Sequence, residues 1–273
     1  MGCVFASLIV LAAIGGSTLV SLLLHTPQRG VLLFVAALVI MGVLIATFAS
    51  TIRRVSNVFR EQNRLRRQLM ADVAHELRTP LAVLQGRIEG LIDGVYPRDD
   101  SRLGELLDET KHLSRLVEDL RTLANAEAGA LDLRKELIDV SDLIRDAATS
   151  FDRPIAAVIP ADLPQIAVDP TRIREVLLNL LSNAIRHTPP PETISIEASA
   201  TPKEVVIRVT DTGTGIAPEE LPHIFERFHK GRDSRGSGLG LAIARNLVLA
   251  HGGTIDVQSE VGRGTGVRVG LPR

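Results

Sequence analysis

The chain has no tryptophan, one tyrosine and an aromatic content of only 3%. That excludes the aromatic platforms on which single-stranded nucleic acids stack. Neither sign of charge dominates: Lys and Arg number 31, Asp and Glu 32, for a formal net charge of −1 over 273 residues. The electrostatic footprint of a nucleic-acid binder is therefore missing, and no nucleic-acid partner is expected. The single cysteine, Cys3, cannot close an internal disulfide and has no partners for a metal site.

Two further absences are local. Residues 4–24 and 31–50 carry no charged side chain. About twenty helical residues span the hydrocarbon core of a bilayer, so a transmembrane helical hairpin is expected over 1–50. A cleaved signal peptide would need a basic start and a small-residue cleavage site, and the first span has neither. Arg53, Arg54, Arg60, Arg64, Arg66 and Arg67 follow the second span. Positive residues stay cytoplasmic, so the expectation is a multi-pass protein of the inner (cytoplasmic) membrane with both termini inside. The loop between the spans is too short for an extracytoplasmic sensor domain. Contact with membrane lipid, and with a membrane-embedded sensory partner, is the corresponding expectation. Glycine and proline are both missing from Val43 to Thr79. One unbroken helix, with 51–65 as linker, can then run from the membrane into the hydrophilic part of the chain.

What is present begins with the stretch "ADVAHELRTPL", 71–81. Apolar residues at 65, 69, 73, 77, 81, 84, 88 and 91 form one stripe at helical spacing. His75 lies ~180° from the centre of that stripe and faces solvent. A loop, "DGVYPRDD", precedes a second stripe through Leu103, Leu106, Leu107, Leu113, Leu116, Val117, Leu120 and Leu123. Two such helices make a hairpin over 66–128, and a hairpin leaves apolar surface exposed. Pairing with a second copy buries it as a four-helix bundle, so a homodimer is expected. From 129 to 273 short β-like runs alternate with helical segments: an α/β domain.

Three stretches of that domain carry chemistry. In "REVLLNLLSNAIRHT" the leucines face one way, while Glu175, Asn179, Asn183 and Arg186 share the other face. Asparagine is a weak helix former, and its carboxamide oxygen suits Mg²⁺, although a plain polar face would read the same. "VTDTGTGI" (209–216) follows a strand, and the Asp211 carboxylate could accept a hydrogen bond from an amino group such as adenine's. "GSGLGLAIARNLVLAHGG" (236–253) opens a helix on glycines, an arrangement that binds phosphates.

Taken in this order, behind a His-Glu helix, these motifs resemble the sensor histidine kinases of two-component systems. "AHELRTPL" resembles the phosphoacceptor box, "NLLSNAIRHT" the asparagine box, "DTGTGI" and "GSGLGLAIA" two glycine boxes, "IFERF" the phenylalanine box and "GRGTGVRVGLP" the last glycine box. The resemblance implies an α/β-sandwich ATP-binding domain of the Bergerat (GHKL) type. It implies His75 as phosphoacceptor, Glu76 as its acid–base partner and Thr79 as the positioner of a water for phosphatase action. It places Asn179 and Asn183 on Mg²⁺ and phosphate, Arg186 on the triphosphate and His187 on the nucleoside of ATP. Asp211, Gly213, Gly215 and Ile216 would surround adenine, with Thr265 nearby, and Gly236, Gly238, Leu239 and Gly240 would line the phosphates. Phe225 would anchor the lid, with Phe228. The lid's phosphate cation stays open among Arg227, Lys230, Arg232 and Arg235. The implied partner is the receiver domain of a response regulator. A nucleotide-binding scaffold and a GHKL ATPase switch are the alternatives.

Overall fold

A computed structural model describes residues 27–97, 99–230 and 237–273. The expected first span, 4–24, lies outside them, as do Arg232, Arg235 and Gly236. The chain divides into two compact units, 1–71 and 72–273. Helix α1, Pro27–Ile92, is continuous over 66 residues and passes through Pro80, as the stretch without breakers from Val43 to Thr79 allows.

In the first unit, the most apolar 18-residue window of Gly30–Arg54 has a mean hydropathy of 2.9, and none of it is buried. It is long and apolar enough to cross a membrane. Its hydroxyls are satisfied within the helix: Thr47 Oγ1 donates to the Leu44 carbonyl at 2.9 Å, and Thr51 Oγ1 to the Thr47 carbonyl at 2.9 Å. Such internal bonding is what a helix in lipid would need, and serine and threonine make it in other helices too.

The second unit begins with the end of α1. A tight turn follows, with Gly94 at φ 72° and the Tyr96 N–H donating to the Gly90 carbonyl at 3.0 Å. A side chain at Gly90 would strike the Tyr96 ring. Helix α2, Asp100–Glu127, is capped by Asp99, whose carboxylate accepts the Arg102 N–H at 2.9 Å. The second apolar stripe divides. Leu116 and Leu123 are buried against the α/β layer. Leu103, Leu107 and Val117 stay exposed, as do Leu81 and Ile88 of α1.

The α/β layer runs β1 (Glu136–Ile138), α3 (Val140–Thr149), β2 (Ala156–Val158), β3 (Ile166–Val168), α4 (Pro170–His187), β4 (Ile194–Ala200), β5 (Glu204–Asp211), α5 (Gly240–Ala250), β6 (Thr254–Glu260) and β7 (Gly264–Pro272). Five strands form a sheet ordered β2-β4-β5-β7-β6. The β2–β4 pair is parallel and the remaining pairs are antiparallel. The core lies between helices and sheet. Ile144, Leu177, Leu181, Ile243 and Leu247 meet Ile196, Ile207, Val269 and Leu271, all essentially inaccessible. Each such side chain contributes roughly 1.5–3 kcal/mol on burial.

Sequence periodicity did not predict β3. It is three residues long, pairs antiparallel with β1, and shows no alternation to read. It ends on a buried node. The Asp169 carboxylate accepts N–H groups from Arg172 and Arg134, at 3.1 and 2.9 Å. The Asp169 N–H donates to His251 Nε2 at 3.0 Å, and His251 Nδ1 bonds the Leu247 carbonyl at 2.7 Å. His251 is thereby held as the neutral Nδ1–H tautomer, clipping the start of α4 to the end of α5.

Burial holds the His251 pKa below its usual 6.5, with Lys135 adding to the effect. The unfolded chain then takes up a proton that the folded site refuses, so this residue's contribution is lost as pH falls through about 6.5. His251→Gln can keep both hydrogen bonds without titrating. It should cost about 1 kcal/mol at pH 8 and flatten the acid loss of stability between pH 7 and 5. Urea unfolding of the detergent-solubilised chain across that range checks this; equal slopes in both proteins would refute it.

Candidate functional site

Helix α4 builds one wall. Ile173, Val176, Leu177, Leu180, Leu181 and Ala184 are buried, so Asn179, Asn183 and Arg186 turn away from the core. They line a cavity of about 390 Å³ with Gly238 and Gly240 at the start of α5. No side chain caps α5, and its first-turn N–H groups are the donors an anion would meet. A methyl at Gly240 would lie 3.3 Å from Asn179 Oδ1, which puts that carboxamide beside the helix start. Ile224 and His229 close one side, and His112, Arg115, Leu116 and Asp119 of α2 close another.

Asp211 lies at the end of β5, only 7% exposed. Its Oδ1 accepts the Gly213 N–H at 3.0 Å and the Thr265 N–H at 3.2 Å. Burial raises its pKa, and these donors, with His187 and Thr188, oppose the rise. A methyl on Gly213 would sit 2.1 Å from the His187 carbonyl oxygen. The Thr214 N–H donates to that same oxygen at 3.1 Å. The loop therefore lies against the end of α4. Burial and neighbouring Arg186 lower the His187 pKa, with Asp211 pulling the other way.

Ser259 is a hub that the sequence motifs did not mark. Its Oγ accepts the Ile216 N–H at 2.8 Å, donates to the Gly264 carbonyl at 2.9 Å and lies 2.8 Å from Thr265 Oγ1. It joins the DTGTGI loop to the β6–β7 turn. Gly215 packs on the same turn: a methyl there would be 2.1 Å from the Glu260 carbonyl oxygen.

The remaining expected residues fall elsewhere. The Leu239 side chain is wholly buried in the core. Phe225 is half-buried with the Arg245 guanidinium 5.9 Å from its ring centroid; Ile224 is the more buried anchor. Arg227 is half-buried and absent from the described cavity lining. Phe228 has φ 59° and its N–H donates to the Gly238 carbonyl at 3.0 Å.

His75 is exposed on α1. The Thr79 hydroxyl makes a long, 3.4 Å bond to the His75 carbonyl. Pro80, one residue on, lies within the helix and has no N–H for the Glu76 carbonyl. The Glu76 carboxylate accepts a hydrogen bond from Lys230 Nζ at 2.6 Å. The lid segment thus reaches the residue beside His75, a contact that no single motif announces.

Residues 65–129 match the His Kinase A (phospho-acceptor) domain, and 168–273 match the histidine kinase-, DNA gyrase B- and HSP90-like ATPase. The chain is 36% identical over 239 residues to the sensor protein SrrB of Staphylococcus aureus, covering 82% of this chain and 40% of that protein. It is 31% identical to the solved histidine kinase AdeS of Acinetobacter baumannii, with a TM-score of 0.63, covering 72% of this chain and 97% of that one. Full-length ShkA, solved with AMPPNP, is 30% identical with a TM-score of 0.54, over 75% of this chain and 45% of that one. The chain belongs to the sensor histidine kinases. It spans less than half the length of the SrrB proteins it matches.

Gly238 has φ 72°, and a methyl there would lie 2.7 Å from the Phe228 carbonyl carbon. Gly238→Ala should therefore displace the Phe228–His229 segment, at a local cost of about 1–3 kcal/mol. Hydrogen exchange should rise over 224–229 and not over β4–β5; unchanged exchange in the first segment would contradict the packing argument.

Proposed function

We propose that the chain is a membrane-attached protein-histidine kinase that phosphorylates His75 from ATP and passes the phosphoryl group to an aspartate of a response-regulator receiver domain. The observation that carries this reading is one compact unit holding both an exposed His75, with Glu76 beside it, and a polar cavity built on Asn179, Asn183 and the α5 start. The AMPPNP bound by ShkA supports ATP as the nucleotide.

One nitrogen of neutral His75 attacks the γ-phosphorus. An N–P bond forms, the bond from phosphorus to the β–γ bridging oxygen breaks, and ADP leaves. Glu76 holds the proton on the other ring nitrogen and stabilises the charge that develops there. For that, Glu76 has to give up Lys230. Asp211 receives the adenine amino group, with Gly213, Ile216 and Thr265 around the base and His187 toward the ribose. Gly238, Gly240 and Arg186 hold the phosphates.

Mg²⁺ fits the donors present. Asn179 and Asn183 offer neutral hard oxygens on one wall of the cavity, and phosphates and water complete such a shell. Among the described residues no group of three or more His, Cys, Asp or Glu could hold a metal, so a dedicated protein cage is not the alternative. When bound, the ion neutralises charge developing on the phosphates.

The exposed apolar residues Leu81, Ile88, Leu103, Leu107 and Val117 support a homodimer. Gly30–Arg54 supports insertion in the cytoplasmic membrane; two spans, both termini inside, lipid contact and a membrane-embedded sensory partner complete the proposed topology. Thr79 would position water against the regulator's phospho-aspartate.

With γ-labelled ATP, the membrane-embedded chain should acquire acid-labile, base-stable label. His75→Gln should lose all of it and still bind ATP. Label retained in His75→Gln would sink the assignment; free phosphate alone would indicate an ATPase switch, and neither product a nucleotide-binding scaffold. Thr79→Ala should keep the label and slow dephosphorylation of the regulator by about a hundredfold, the scale of a misplaced reactant. An unchanged rate would leave Thr79 a helix residue preceding a proline.

A further inference from the structure

The phosphate cation expected from the lid has another source in this structure. Lys230 is engaged by Glu76. Among the described residues two guanidinium groups line the cavity: Arg186 from α4 and Arg115 from α2. Arg115 lies outside the ATPase match at 168–273 and inside the phospho-acceptor match at 65–129. The cavity it lines is the half that also holds Asn179, Asn183, Gly238 and Gly240; Asp211 is not among the lining residues. Arg115 therefore faces the end of the site that suits phosphates, away from the end that suits a base.

Its present engagement is slight. Nε makes a long, 3.4 Å bond to the Lys111 carbonyl of its own helix. Among the described residues no carboxylate lies within ion-pair distance of it. Asp119, one turn on, is the only acid among the described lining residues. Burial raises the Asp119 carboxyl to about 6, Glu175 and Glu118 push the same way, and Arg115 pulls it back. An arginine held loosely over a polar cavity, with one reluctant carboxylate beside it, is a fork awaiting a stronger anion.

We infer that Arg115 is a phosphate ligand of the nucleotide, supplied by the phospho-acceptor hairpin to the ATP cavity, with Asp119 as the internal anion that competes for it. The inference rests on the ATP reading above and adds to it. A nucleotide held this way spans two parts of the molecule: the base sits in the α/β layer and the phosphates touch the hairpin. Affinity then depends on the hairpin being docked, and the dependence grows with the number of phosphates.

The test is equilibrium binding of ATP, ADP and adenosine, each with Mg²⁺, to the full chain in lipid nanodiscs. Arg115→Ala should bind ATP about tenfold more weakly, ADP less so, and adenosine as the unaltered chain does. Arg115→Lys should recover part of the ATP loss, because the charge is kept and the fork is not. Asp119→Asn should tighten ATP several-fold, and that gain should vanish when combined with Arg115→Ala. An unchanged ATP-to-adenosine ratio in Arg115→Ala overturns the inference and leaves the ATP reading standing. Loss of adenosine binding in step with ATP assigns Arg115 to packing and overturns it too. If the unaltered chain itself fails to prefer ATP over adenosine, both readings fall together.

Discussion

Burial of one face of α4 against the sheet is the constraint on which the site depends. Ile173, Val176, Leu177, Leu180, Leu181 and Ala184 can meet β4, β5 and β7 in only one rotation of the helix. That rotation sends Asn179, Asn183 and Arg186 into the cavity. Turning the helix by a single residue, about 100°, would bring the asparagines into the core and expose leucine instead. The height of the helix is fixed at its two ends. At the start, Asp169 caps it and His251 ties it to α5. At the finish, Thr188 Oγ1 bonds the Ala184 carbonyl at 2.6 Å, and the Thr214 N–H takes the His187 carbonyl. The asparagines are thus placed by apolar packing and by caps, with no polar contact of their own needed to aim them.

The base end of the site is held differently. Asp211 is a buried carboxylate whose charge costs desolvation, and the two N–H donors on Oδ1 offset only part of that cost. One donor comes from the loop just after β5 and the other from β7, so the carboxylate also staples the loop to the sheet. Ser259 repeats the device from β6, joining Ile216 to Gly264. The glycines of this region are needed where backbone meets backbone. At Gly264, with φ 102°, a methyl would lie 1.9 Å from the Asp211 carbonyl oxygen. The carboxylate is thus held in a tight loop by donors from three segments, Gly213, Thr265 and Thr188.

Periodicity sufficed for the long elements. Unbroken spacing from Val43 to Thr79 gave α1, the opposed leucine and asparagine faces gave α4, and alternation gave β4 to β7. Composition alone could not find β3, because three residues carry no period. Nor could it find the Asp169–His251 clip, whose members are 82 positions apart and are single polar residues in apolar surroundings. The second stripe illustrates a subtler limit. Eight apolar positions on α2 looked like one face for a partner helix. They are two: Leu116, Leu120 and Leu123 pack on the α/β layer, and Leu103, Leu107 and Val117 do not. A count of apolar residues cannot say how many surfaces share them. No sequence motif marks the cavity residues Arg115 and Asp119, which only the packing of α2 brings to the site.

That division of α2 has mechanical consequences. At 100° per residue, the docked and open stripes are centred roughly 130° apart, and Arg115 and Asp119 lie on the other side of the docked stripe, roughly 90° from its centre. One helix can then press on the α/β layer, leave a separate apolar face open, and keep a charged edge over the cavity on the far side of its docked face. The docked stripe sits in the C-terminal half of the helix, and Leu77 of α1 packs on the same core. Glu76 and Lys230 add one charge pair near the phosphoacceptor. Both side chains remain partly exposed, so the pair contributes little to stability. Its effect is positional: it fixes the Glu76 carboxylate on Lys230, one residue from His75.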